Sequence, residues 1–203
     1  KDGSAGSIGY GIATAFAKEG TNLVITGRNE KKLNAAKEKL ESAYGIEVLI
    51  AQADINASAD NKAVAQGVVD EAMAKFGRID FLVNNAQASA SGVTLADHTP
   101  EQFDLAIYSG LYAAFYYMQA CYPHLKETKG SVVNFACGAG LFGNYGQCAY
   151  AAAKEGIRGL TRVAATEWGP DGINVNIVCP LAWTAALELS LIHISEPTRL
   201  RRI

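Results

Sequence analysis

Tyr150 and Lys154 have the types and spacing for proton transfer. They stand at i and i+4 in Tyr150-Ala-Ala-Ala-Lys154, so on a helix they project from one face. A phenol whose ordinary pKa is about 10 is a poor acid or base at neutral pH. An adjacent ammonium, helped by the positive charge of an oxidised cofactor ring, favours the phenolate and lowers that value. Such a hydroxyl can exchange a proton with a substrate oxygen while a cofactor carries hydride. An ordinary pair at the core edge of a long helix has the same spacing, so the reading needs support elsewhere.

A second group lies at the start of the chain. Gly3-Ser-Ala-Gly6-Ser-Ile-Gly9-Tyr-Gly11 runs directly into the apolar stretch Ile12–Ala17. A turn of this kind lets backbone amides approach a pyrophosphate, and the helix behind it adds unpaired N–H groups and partial positive charge. After the next apolar run comes Gly27-Arg28-Asn29, with Arg28 nineteen positions past Gly9. Dinucleotide folds place there an acid for the adenosine ribose or an arginine for a 2′-phosphate. The acid is absent, Arg28 is present, and Lys31 and Lys32 follow. NADP(H) is therefore expected ahead of NAD(H), the plain alternative being that Arg28 is a solvated surface charge.

These residues need a scaffold. Short apolar runs at Asn22–Thr26, Glu47–Ala51, Asp80–Asn84, Ser131–Phe135 and Asn174–Val178 predict strands buried on both faces. Amphipathic stretches at Gly9–Glu19, Glu30–Ser42, Ala59–Phe76, Pro100–Leu125 and Gln147–Trp168 predict helices between them, the second capped by Asn29. The alternation predicts a doubly wound, parallel α/β sheet, Rossmann-like, in three α/β/α layers. Glycine-rich turns normally follow a strand, so one is expected ahead of Gly3. At the other end, Leu189-Ser-Leu-Ile-His-Ile-Ser-Glu-Pro-Thr-Arg199 matches the in-frame translation of a transposon-type sequencing adapter. The expected organisation is a catalytic domain over 1–188, truncated at both ends, and a non-native tail over 189–203.

With these pieces in place the chain resembles the short-chain dehydrogenase/reductase family. The resemblance rests on Gly3-x5-Gly9, Asp54-Ile55 after one strand, Asn84-Asn85-Ala86 after the next, and Tyr150-x3-Lys154, in family order. It implies a nicotinamide-dependent oxidoreductase interconverting a carbonyl and a secondary alcohol. Tyr150 would be the acid/base, Lys154 its activator and holder of the nicotinamide ribose. The cofactor would be bound by Gly3, Ser7, Ile8, Gly9, Arg28, Asp54, Ile55, Asn85, Ala86, Tyr150, Lys154, Pro180 and Thr184. Trp183 and Thr184 would begin a lid, and Gly138–Tyr145, with Leu141, Phe142 and Tyr145, an apolar pocket wall. A cytoplasmic homo-oligomer, dimer or tetramer, acting on a small partly apolar substrate is the implied whole.

Some positions depart from the family pattern. Cys137, thirteen residues before Tyr150, stands where a serine usually bonds the substrate oxygen, and a thiol is a weaker donor. Gly110 stands at the asparagine of the proton relay, with Ser109 beside it and facing elsewhere. Gln87 and Ser7 replace motif glycines, and Pro180-Leu181 replaces Pro-Gly. These predict slow or altered turnover, and a truncated chain is expected to be inactive as it stands. The alternative is a pseudoenzyme that binds NAD(P)H as a sensor without turnover. A related enoyl reductase fits less well, because its tyrosine and lysine are more widely spaced.

Composition narrows the classes. In 203 residues, 49% are hydrophobic and 19% charged, enough to bury a core and exclude bulk disorder. A net charge of −2 argues against a nucleic-acid or anionic-membrane partner. No apolar run reaches the roughly 18 residues of a spanning helix. The 4 cysteines show no metal-ligand spacing and are expected as reduced thiols.

Overall fold

A computed structural model describes residues 7–180 of the chain. Gly3, Trp183, Thr184 and the Leu189–Ile203 tail lie outside the described residues. The elements alternate as expected. They run α1 (Ile8–Lys18), β1 (Leu23–Gly27), α2 (Glu30–Tyr44), β2 (Val48–Gln52), α3 (Asn61–Phe76) and β3 (Phe81–Asn84). There follow α4 (Pro100–Ala106), a π-helical turn (Ile107–Tyr112), α5 (Ala113–Thr128), β4 (Ser131–Phe135) and α6 (Gly138–Phe142). The chain then forms α7 (Cys148–Trp168), a 3-10 turn (Gly169–Asp171) and β5 (Asn174–Val178).

Local chemistry explains most boundaries. Ser7, Asn29, Asp60 and Thr99 each accept a backbone N–H of the following helix, satisfying a donor that the first turn leaves free. Gly45 and Gly77 end α2 and α3 in the left-handed region, where a Cβ would be strained. Every strand pair is parallel. β1 pairs with β2, while β4 lies between β3 and β5 with Asn84 opposite Asn134.

Each sheet has its own core. Ala17, Leu40, Ile46 and Val48 pack beneath β1 and β2. Val69, Met118, Cys121, Leu125, Val132, Ala164 and Val175 join α3, α5 and α7 to β4 and β5. Between the facing edges of β1 and β3 lies an apolar cavity of about 790 Å³, lined by Val24 and Ile25 on one side and Leu82 and Val83 on the other. Phe16 of α1 meets Phe81 of β3 at 5.2 Å between ring centroids, bridging the two halves at the slot.

Two expectations change in detail. The stretch expected as one helix over Pro100–Leu125 runs to Thr128 and contains the π-helical turn. The expected pocket wall Gly138–Tyr145 is not all loop, because its first five residues form α6. The cysteines Cys121, Cys137, Cys148 and Cys179 are free. Among the described residues no helix is long and apolar enough to cross a membrane, and no cluster could hold a metal ion.

Candidate active site

The candidate residues gather where the strands end. Arg28 follows β1, Asn85 and Ala86 follow β3, Cys137 follows β4, and Cys179 and Pro180 follow β5. Open α/β sheets bind ligands outside these carboxyl ends. Ser7 caps α1 by accepting the Tyr10 N–H at 3.2 Å. A Cβ on Gly9 would stand 3.0 Å from Asn85 Nδ2, so glycine lets the loop after β3 close on the start of α1. Arg28 is exposed and, among the described residues, makes no ion pair; its carbonyl accepts from Gln52 Nε2 at 2.9 Å. Asp54 is exposed and Ile55 buried, on a turn held by Asn56 and Asn61.

The centre lies on α7. Lys154 is only 4% exposed, and its Nζ donates to the Phe135 carbonyl at 2.7 Å. The same nitrogen sits 5.5 Å from the centre of the Tyr150 ring. Burial holds the Lys154 ammonium down at about 8, and the Cys137 and Cys179 thiols pull the other way. Tyr150 behaves differently from the bare expectation. Burial, and then the nearby Cys137 thiol, push its pKa above the ordinary phenol value. The Lys154 ammonium donates to the Phe135 carbonyl and lies 5.5 Å from the centre of the phenol ring.

Cys137 lies close enough to Tyr150 to influence its ionisation, and its backbone opens α6. Arg158, one turn beyond Lys154, reaches the Cys137 carbonyl at 3.3 Å and the Cys179 sulfur at 3.6 Å, and pairs with Glu155. Beside this centre α6 and the following turn expose Leu141, Phe142 and Tyr145, Phe142 at 82%. Gly92 N–H donates to the Gly146 carbonyl at 2.9 Å, tying the loop after β3 to the start of α7.

Three features were absent from the sequence reading. Asn134, fully buried, accepts from Asn84 at 2.8 Å and donates to Thr161 at 2.9 Å, joining β3, β4 and α7 beneath the site. An asparagine at the same place in two apolar strands is the signal that could have marked it. Gln87 folds over Gly110, and Ser109, expected to point elsewhere, accepts the Ala88 N–H at 2.9 Å.

The sequence and the fold are matched by known proteins. The family model for short chain dehydrogenase fits residues 2–190. The chain belongs to the short-chain dehydrogenase family. A 12alpha-hydroxysteroid dehydrogenase from a Clostridium species is 67% identical over 186 residues, covering 92% of this chain and 72% of the relative. A D-beta-hydroxybutyrate dehydrogenase from Cupriavidus necator is 34% identical, covering 88% and 67%. The crystal structure of a levodione reductase superposes with a TM-score of 0.86 at 31% identity, over 95% of this chain and 74% of that one. This short-chain dehydrogenase is thus an α/β oxidoreductase of Rossmann-like fold, using a nicotinamide cofactor of the NAD(P) class.

Proposed function

We propose that the natural protein containing this chain interconverts a secondary alcohol and a carbonyl with NADP(H) as the favoured cofactor. The observation that carries this reading is the buried Lys154 ammonium beside Tyr150, with Cys137 close to the phenol. The residues present fit a nicotinamide nucleotide. Lys154 is buried yet spends one of its three N–H donors on Phe135, among the described residues, which suits a ribose hydroxyl pair. Ser7, Ile8 and Gly9 at the start of α1 suit a pyrophosphate, with Gly3 ahead of them. Arg28 suits a 2′-phosphate, and Asp54, Ile55, Asn85, Ala86, Pro180 and Thr184 would complete the cofactor contacts. When bound, the nicotinamide supplies or accepts hydride, and its oxidised ring adds a positive charge.

Tyr150 holds the transferable proton at its hydroxyl. In reduction it donates that proton to the carbonyl oxygen, and in oxidation it takes the alcohol proton. Burial alone opposes the phenolate, so Tyr150 rests protonated and needs a cation close by to ionise. Cys137 supplies the second contact to the substrate oxygen, as a weaker donor than a hydroxyl. The exposed Leu141, Phe142 and Tyr145 offer an apolar rim for the body of the substrate. The activity of the Clostridium relative makes a hydroxysteroid the first substrate to test.

The apolar slot between β1 and β3 supports a truncated domain, because among the described residues a strand placed there would find an unpaired edge on each side. On this reading 1–188 is the cut catalytic domain and 189–203 a non-native tail. The whole protein would be a cytoplasmic homo-oligomer, dimer or tetramer, acting on a small molecule rather than on nucleic acid or membrane. The test is NADPH-linked turnover of a hydroxysteroid panel by the natural protein. Tyr150→Phe should abolish turnover while nucleotide fluorescence enhancement persists, and Arg28→Asp should reverse the NADPH preference. Cys137 and Gly110 favour a second reading, a nucleotide sensor, whose signature is binding without turnover on any substrate.

A further inference from the structure

Two neighbouring residues of the π-helical turn, Gly110 and Leu111, each meet a glycine socket, one on the turn itself and one on α7. A Cβ on Gly110 would lie 2.6, 2.7 and 2.8 Å from Cδ, Oε1 and Nε2 of Gln87, so the carboxamide fills the place of a side chain there. The next residue, Leu111, enters a socket in α7. A Cβ on Gly156, two residues past Lys154, would lie 2.7 Å from Leu111 Cδ2. Gln87 Nε2 reaches the Ala106 carbonyl at 3.4 Å, and its buried Oε1 has no partner among the described residues. Ser109 fastens the same loop through the Ala88 N–H. A π-turn has a helical register that local sequence does not enforce, so side-chain contacts set it.

We propose that Gln87 is a positioning residue. Its carboxamide, seated on Gly110, sets the π-turn between the loop after β3 and α7, and Leu111 in the Gly156 socket then sets how deeply Lys154 is held. This rests on the reading of Lys154 as the functional amine. The asparagine expected at 110 and the glycine expected at 87 are thus exchanged in kind, an amide moving from helix to loop.

The test is a double-mutant cycle on Gln87→Ala and Gly110→Ala, read as the pH midpoint of Lys154 labelling by an amine reagent, with melting temperature as a control. Burial holds the Lys154 pKa down at about 8, so the midpoint reads how deeply the amine is held rather than fold stability. Gly110→Ala expels the flexible carboxamide, and the midpoint is expected to rise by about half a unit or more toward the ordinary lysine value. In the Gln87→Ala background the same change should have little effect. An equal shift in both backgrounds overturns the proposal, as does a lowered melting temperature with an unmoved midpoint. If the unmodified protein binds no nicotinamide nucleotide, the functional reading fails while this cycle still reports on Gln87.

Discussion

Lys154→Met separates the cost of burying the ammonium from the hydrogen bond it makes. Burial lowers the Lys154 pKa from 10.5 to about 8. Each unit is worth about 1.4 kcal/mol, so keeping the charged amine in the fold costs roughly 3 kcal/mol. The folded chain releases that proton near pH 8, whereas the unfolded chain keeps it to 10.5. Between those values the unfolded state binds more protons, so stability rises with pH. Below pH 8 the full cost is present and constant. Tyr150 acts in the opposite sense, because its raised pKa means that the unfolded chain ionises first, at 10.0, and stability falls above that point. Burial also raises the Cys121 thiol from 9.0 to about 12, which lowers stability above pH 9 in the same sense as Tyr150. This contribution is common to both proteins, so their difference from pH 8 to 10 isolates Lys154. Methionine keeps much of the unbranched stem, lacks the charge, and leaves the Phe135 carbonyl without its donor, a pH-independent loss of about 1–3 kcal/mol. Urea unfolding at pH 7, 8, 9 and 10 should show the wild-type curve gaining roughly 2 kcal/mol on Lys154→Met across the window. A constant difference between the two proteins from pH 8 to 10 would refute the reasoning.

Other outcomes follow from single contacts. Cys137→Ser gives the Tyr150 site a stronger donor, worth about 1 kcal/mol or roughly fivefold in kcat for the natural protein; an unchanged or lower kcat would count against Cys137 touching the substrate oxygen. Asn134→Leu strips partners from Asn84 and Thr161 inside the core. It should cost about 2–4 kcal/mol in urea unfolding, and a loss under about 1 kcal/mol would show the network to be dispensable. Gly146 combines a φ of +66° with a would-be Cβ 2.9 Å from the Gly92 backbone. Gly146→Ala should therefore destabilise by about 2 kcal/mol or more and speed proteolysis between residues 86 and 99, and an unaffected protein would argue against the Gly92–Gly146 tie.

The strands and most helices were legible because their causes are local. Ser131–Phe135 and Asn174–Val178 form strands over the expected residues, since runs of β-branched side chains between turns need no distant information. Asn29 caps α2 as expected, because a cap is settled within three residues. The π-turn was not legible. Its partners Gln87 and Ala88 lie about twenty residues upstream, and the apolar pattern of the helix runs through it unchanged. α6 is five residues long, too short for periodicity to declare it. The resting state of Tyr150 was not legible for a related reason. Spacing places a lysine beside a tyrosine, but only the folded chain decides that the ammonium bonds Phe135 and that burial is the largest influence on the phenol.

The departures from the family pattern bear on whether the site works. A site drifting after loss of function collects changes independently, since nothing selects one to suit another. Here Gln87 and Gly110, two of the departures, fit each other: the Gln87 carboxamide fills the space in which a Cβ on residue 110 would stand 2.6–2.8 Å from it. Cys137, a third, keeps its place close to Tyr150, and Lys154 remains buried and hydrogen-bonded beneath it. Retaining a buried ammonium at a cost of about 3 kcal/mol, offset only by the Phe135 hydrogen bond worth about 1–3 kcal/mol, gives stability alone little reason to keep a lysine there. Matched substitutions and a costly retained contact favour a rearranged enzyme over a decayed one. The comparison that separates them is the Gln87→Gly, Gly110→Asn double exchange in the natural protein. Turnover equal to or above the starting protein, with each single exchange impaired, fits a rebuilt relay. Turnover absent from the starting protein and from the double exchange alike would leave the sensor as the better account.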